Sequence, residues 1–232
     1  MRIWDLHPGY LDRQRLLGEH RELHGLASVH LHGKKGYAAH PETRRWAGCL
    51  GALAVRHELL VAEMALRGYR HHSPLLIQPD PTCWPGYLDT PARQLALLAG
   101  KYTAGEQGRI PLPRHLQQAW AQHKYSVLAR DPNAYRSFGR RAAEPRNALD
   151  EEFLHELIQL LRQPPTRGGV QNAIDHMWGH VAQYATPTER HAAGQDLATR
   201  WHLTQRLARD HAEDYLWHST ALSEMTFWLT WL

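Results

Sequence analysis

The chain has 232 residues, 43% of them hydrophobic, with nine Trp, three Phe and a formal net charge of +4 at pH 7. That is enough apolar material for one large or two small packed domains, and no apolar run reaches the length of a membrane span. The mildly basic balance permits nucleic-acid binding without demanding it. The first twenty residues carry Arg2, Asp5, Arg13 and Arg15 and no apolar segment, so no secretory signal is expected. Cys49 and Cys83 match no metal or redox spacing, which points to a reduced cytoplasmic setting with Cys49 as a small core residue.

Helical periodicity dominates. In 11–27, Leu16 and Leu23 lie seven apart on one face, with Arg15, Glu19 and Glu22 as the stripe beside them. The stretch 32–45, HGKKGYAAHPETRR, reads as a loop. A helix follows over 47–67, with Leu50, Leu53, His57, Leu60 and Met64 as its stripe and Gly68 at its C-terminal stop. After a second loop, 70–91, Thr90 and Pro91 supply a cap and a first-turn proline for a helix ending near Gly100.

Residues 101–113 are polar and punctuated by Gly105, Gly108, Pro111 and Pro113, so they mark a boundary. Beyond it, Leu116, Trp120 and Val127 mark a helix stopped by Asp131-Pro132. A second spans about 148–162, up to Pro164-Pro165, and a third follows Thr166 with Val170, Ile174, Met177 and Val181. Thr186-Pro187-Thr188-Glu189 is a capping-box signature that opens one long helix to about His211. The tail 213–232 is apolar enough to dock. No stretch alternates as a strand does. The expected fold is all-α, with two helical domains over 1–105 and 113–232, the second a helical bundle.

The opening MRIWDLHPGYLDRQRLLGEHREL carries the chemistry. Arg2 is a large second residue, so Met1 is expected to be retained. A terminal α-amine has a reference pKa of about 7.7–8.0, against about 10.4 for lysine. Such an amine can form a Schiff base with an aldehyde-like carbon, given a carboxylate within hydrogen-bond reach as acid/base. Glu22, on a helix, is the candidate partner. Arg2, Arg15 and Arg21 suit phosphate, and Lys34 and Lys35, following Gly33 in a loop, suit a phosphate clamp.

RLLGEHREL with the Arg2 start, HGKKGYAAHPETRRW, and GALAVRHELLVAEMALRGYRHHSPL resemble the phage-type pyrimidine-dimer DNA glycosylase, the endonuclease V family, over roughly residues 1–80. The resemblance implies a helical enzyme that displaces a damaged base with its N-terminal amine. It then cleaves the strand by β-elimination through the imine, without metal or cofactor. Met1 takes the amine role, Glu22 the glutamate role, and Arg2 and Arg21 the phosphate roles. Gly25 and Arg15 stand where the family has an arginine and a histidine.

WAQHKYSVLARDPNAYRSFGR and PPTRGGVQNAIDHMWGHV resemble a YbgA-like helical domain over about 113–185, which by association implies a nucleic-acid or nucleobase setting. His30/His32, His71/His72 and His176/His180 are paired in sequence, but none carries a third ligand, so no metal is expected. The favoured reading is a metal-independent DNA glycosylase and AP lyase acting on damaged duplex DNA, cytoplasmic and nucleoid-associated. Two alternatives stay open: a non-catalytic nucleic-acid-binding module, and an RNA- or nucleobase-directed enzyme.

Overall fold

In the computed structural model, which describes residues 1–102, 106–144 and 148–232, twelve α-helices and two 3-10 turns make up the regular structure. No strand occurs among the described residues, and one isolated bridge joins His115 to Ala148. No helix among them is long and apolar enough to cross a membrane. The boundary glycine Gly105 lies outside the described residues.

The front half holds four helices. α1 (Arg13–His32) starts where the Asp12 carboxylate accepts from the Arg15 N–H at 2.7 Å and stops at Gly33, whose φ is +60°. That left-handed geometry costs glycine least, and the helix therefore runs past the expected end at Ala27. α2 (Pro41–Arg45) sits inside the stretch expected to be loop, opened by a cap from His40 and by Pro41. Five residues are too few to show a period. α3 (Leu50–Leu66) and α4 (Pro91–Ala99) match expectation, with Gly68 at φ +81° after α3 and Thr90 capping α4.

The rear half holds α5 (Leu116–Leu128), α6 (Pro132–Ala142), α7 (Glu151–Leu161), α8 (Arg167–Val181), α9 (Pro187–Gln195), α10 (Leu197–Asp210), α11 (Asp214–Trp217) and α12 (Ala221–Trp231). Two sequence expectations need correcting. Asp131-Pro132 does not only stop a helix: Asp131 accepts from the Asn133 N–H at 2.7 Å and, with Pro132 in the first turn, starts α6. Only Phe138 and Ala142 of α6 are buried, and Asp131-Pro132 reads equally well as the stop of one helix or the start of the next. The helix expected to run from Pro187 to His211 is two helices. The capping box forms as expected, but Asp196 is extended (φ −143°, ψ 129°) and caps α10 through the Thr199 N–H.

The two sequence halves share their cores. Val55 and Leu66 of α3 are buried with Ala173, Met177, Leu222, Met225 and Trp228 of the rear helices. Leu154 of α7 joins Ile3, Leu16, Leu23, Leu53 and Leu98 at the front. The tail docks as expected, with α12 packed along α3. The stretch 106–113 is fastened rather than loose: the Ile110 N–H donates to Gly9 O at 2.9 Å, and the Ile110 side chain is fully buried. Gly108 is required there, because a Cβ would come within 2.4 Å of the Gly9 carbonyl oxygen.

Burial also sets the acid limit of the fold. Desolvation lowers the His123 pKa to about 3 and holds His7 well below the ordinary imidazole value. Both rings stay neutral when folded, whereas the unfolded chain protonates them near pH 6.5, so their contribution is intact above that pH and lost as pH falls below it. Acidification from pH 7 to pH 5 should therefore lower the unfolding free energy by about 2 kcal/mol through His123 alone. Urea midpoints across that range test this, and His123→Gln should flatten the slope.

Candidate active site

The first six residues are laid against α1. Ile3, Trp4 and Leu6 are buried, and each anchors the terminus in the front core. Two carboxylates one turn apart on α1 then take the main chain. The Trp4 N–H donates to Glu19 Oε1 at 3.1 Å, and the Arg2 N–H donates to Glu22 Oε2 at 2.5 Å. Residues three apart on a helix share a face, which is why both carboxylates can reach one extended segment. The other oxygen of Glu22, Oε1, lies 3.7 Å from the Met1 α-amine.

The supporting groups are charged and buried. Arg56 of α3 forks onto both oxygens of Glu19 at 2.7 and 2.8 Å, and donates to the Leu6 carbonyl at 2.7 Å. Burial pushes the Glu19 carboxyl up, while the Arg56 guanidinium and the Trp4 N–H oppose that shift. Asp5 takes Arg45 at 2.5 Å, Arg162 at 2.7 Å and the Gln94 amide at 2.8 Å, so α2, α4 and the residue that ends α7 all meet the terminus. Glu42 accepts from Arg45 and from the Trp46 indole at 2.8 and 3.0 Å. Burial dominates Glu42 and raises its pKa.

The result is an open cleft of about 420 Å³ lined by Met1, Arg2, Trp4, Gln14, Arg15, Gly18, Glu19, Glu22 and Lys101. The Met1 side chain is packed away, 10% exposed, whereas the Glu22 side chain is 41% exposed. A half-open carboxylate beside an amine can exchange protons with it and with a ligand in the cleft.

Of the residues singled out from sequence, Met1, Arg2, Arg15 and Glu22 come together in this cleft. Arg2 is paired with Asp89 at 2.7 Å and lies over the Trp4 ring at 5.1 Å. Arg15 is paired with Asp12 and donates to the Lys101 carbonyl at 3.2 Å. Arg21 does not line the cleft; it is exposed on α1 and makes no ion pair among the described residues. Lys34 and Lys35 are exposed beyond the end of α1, about 15 Å along its axis from Glu22.

Sequence reasoning missed three contributors. Lys101 was assigned to the boundary stretch, yet it lines the cleft. Arg56 sat unremarked beside the α3 stripe, and its only signal was a charge among apolar neighbours. Asp5 gave no signal at all, since its three partners come from positions 40 to 157 residues away. Cys49 is buried as expected and its sulfur faces that of Cys83 at 2.6 Å.

Residues 1–76 match the family model described as pyrimidine dimer DNA glycosylase. That match covers the terminus, α1, α2 and α3, and so both Met1 and Glu22. Residues 124–224 match a second family, described as a protein of unknown function (DUF1722). No curated protein and no solved structure matches the chain.

The buried and half-exposed carboxylates should separate on mutation. Arg56→Met leaves Glu19 buried without its cation and should cost about 3–5 kcal/mol of stability. Glu22→Gln should cost less than about 1 kcal/mol, because its partners are main chain and solvent can reach it. Chemical denaturation of the two variants beside wild type checks the contrast.

Proposed function

We propose that this chain is a metal-independent DNA glycosylase with AP lyase activity on damaged pyrimidines, UV dimers included. The Met1 α-amine is the nucleophile and Glu22 the acid/base. The observation that carries the reading is the 3.7 Å approach of the Met1 amine to a Glu22 carboxylate whose second oxygen is held by the Arg2 N–H. The family match over residues 1–76 supports it independently.

In this reading the neutral amine attacks C1′ of the damaged nucleotide. The C1′–N bond breaks, and the base leaves with the electron pair. The new ammonium passes a proton to Glu22, which returns one to the ring oxygen as the sugar opens to an imine. Glu22, again a carboxylate, then takes a proton from C2′, and the 3′ phosphate leaves with its electron pair by β-elimination. Water hydrolyses the imine and frees the amine. Moving the target out of the stack costs a few kcal/mol, and least at a damaged site, which favours lesions over intact DNA.

The cations divide into two groups. Arg2 and Arg15 are already paired with Asp89 and Asp12, and serve to shape the cleft wall. Arg21, Lys34, Lys35 and the cleft residue Lys101 are the phosphate ligands. About 15 Å of helix separates Glu22 from the lysine pair, which is the axial length of four to five base pairs. The catalytic unit in this reading is 1–105, with 113–232 as its YbgA-like helical partner, acting on duplex DNA in the nucleoid.

Borohydride trapping on duplexes with an abasic site or a thymine dimer tests the proposal, using protein whose intact mass shows Met1 as the terminus. Wild type should give a covalent adduct. Glu22→Gln should slow trapping by about 10²-fold or more, and a short N-terminal extension should abolish it. No adduct, or one that survives both changes, refutes the reading. Removing Lys34 and Lys35 together should lower the salt slope of DNA binding by about 2.

A further inference from the structure

Four histidines meet on the side of α1 away from the cleft. His20 and His24 lie four apart on α1, His57 is on α3, and His71 is in the segment after Gly68. One nitrogen from each ring falls within 4.8 Å of the other three. His20 lies two residues from Glu22, about 160° around the helix, so this cluster and the amine–carboxylate pair occupy opposite faces of one element.

We propose that His20, His24, His57 and His71 form a binding site for a divalent transition-metal ion of the zinc class. The donor set fits that chemistry. Imidazole nitrogens suit zinc and its neighbours, and four protein ligands make the closed tetrahedral arrangement of a structural site. Zinc–nitrogen bonds of about 2.0–2.1 Å place ligand nitrogens about 3.4 Å apart. The His20 and His71 Nε2 atoms are already 3.0 Å apart, and every other pair of candidate ligand atoms lies within 4.8 Å.

Two further observations point to a ligand rather than to packed rings. The Nε2 atoms of His24 and His57 are buried and have no hydrogen-bond partner, although His57 is 0% exposed. Buried polar nitrogens are rarely left so. His57 also carries an outer-shell partner: its Nδ1 bonds the Glu58 carboxylate at 2.8 Å. A carboxylate accepts, so Nδ1 is the donor and the unpartnered Nε2 is the atom left for a ligand, the arrangement of carboxylates behind metal-bound histidines. Burial, with the neighbouring rings, lowers the pKa of His20, His24 and His71, keeping these rings in the neutral form that a metal takes.

The ion would join α1, α3 and the segment entering the long loop at 70–90. It would clamp α1 from behind while Glu19 and Arg56 hold its front. It takes no part in the amine chemistry, so the proposal stands or falls separately from the glycosylase reading.

The test uses the full chain, stripped with chelator, incubated with Zn²⁺ or Co²⁺ and desalted. One zinc per chain should be retained by elemental analysis, and Co²⁺ should give the intense visible bands of a tetrahedral site. Excess zinc at about 100 times its Kd should raise Tm by roughly 5–10 °C. His57→Gln and His71→Gln should lose the metal; His71 is on a partly exposed loop, so that variant keeps the question answerable if the core variant does not fold. A His30→Gln/His32→Gln variant should keep it. Failure of the wild type to retain metal, retention by His71→Gln, or loss in the His30/His32 control overturns the proposal. Borohydride trapping by the stripped protein reports on the amine chemistry alone.

Discussion

The guanidinium of Arg56 is the fixed point of the front half. It reaches from α3, forks onto Glu19 of α1 and takes the Leu6 carbonyl, while Glu19 takes the Trp4 N–H. Three separate pieces of chain are thereby locked at one buried spot. A charged pair removed from water gains little net stability over an apolar pair, but breaking it is costly, because the remaining charge has nowhere to go. The terminus must therefore lie where it does or expose Arg56 and Glu19 together. The 3.7 Å gap between the Met1 amine and Glu22 inherits its placement from this constraint.

The rear half contributes to the same end. Arg162, which follows α7, bonds Asp5, and its carbonyl accepts the Trp84 indole N–H at 2.9 Å. Glu63 of α3 is held by Arg67 and by Arg109 of the connecting stretch. These cations keep the Glu63 carboxyl well below the usual carboxylate range despite its complete burial. α12 lies along α3 and closes the second core around Val55 and Leu66. The segments that match two different families are thus joined by shared apolar packing and the buried Asp5–Arg162 ion pair, and the rear half supports the element on which the cleft is built.

α1 serves two environments. One face carries Glu19 and Glu22 toward the terminus, and the other carries His20 and His24 toward α3 and the loop. A helix repeats every 3.6 residues, so adjacent positions such as Glu19 and His20 can hold unrelated chemistry. This economy also accounts for the weak apolar period of α1. Its buried positions include Glu19 and His20 beside Leu16, Leu23 and Leu26.

The sequence by itself determined the all-α class, most helix starts and the docking tail. Those depend on local rules: a cap such as Thr90 or Thr186, a first-turn proline, a glycine stop, and a periodic stripe. It also singled out Met1 and Glu22, through a motif that fixes how far the terminus lies from one helical carboxylate. It missed α2, which is too short to show a period, α6, whose start at Asp131-Pro132 doubles as a stop signal, and the break at Asp196, where a polar cap interrupts an otherwise continuous helical pattern. Only the tertiary structure decided that Asp5 meets Arg45 and Arg162, that Arg2 is spent on Asp89, and that four scattered histidines converge. Such pairings depend on the packing angles of whole helices, which no local window of sequence contains.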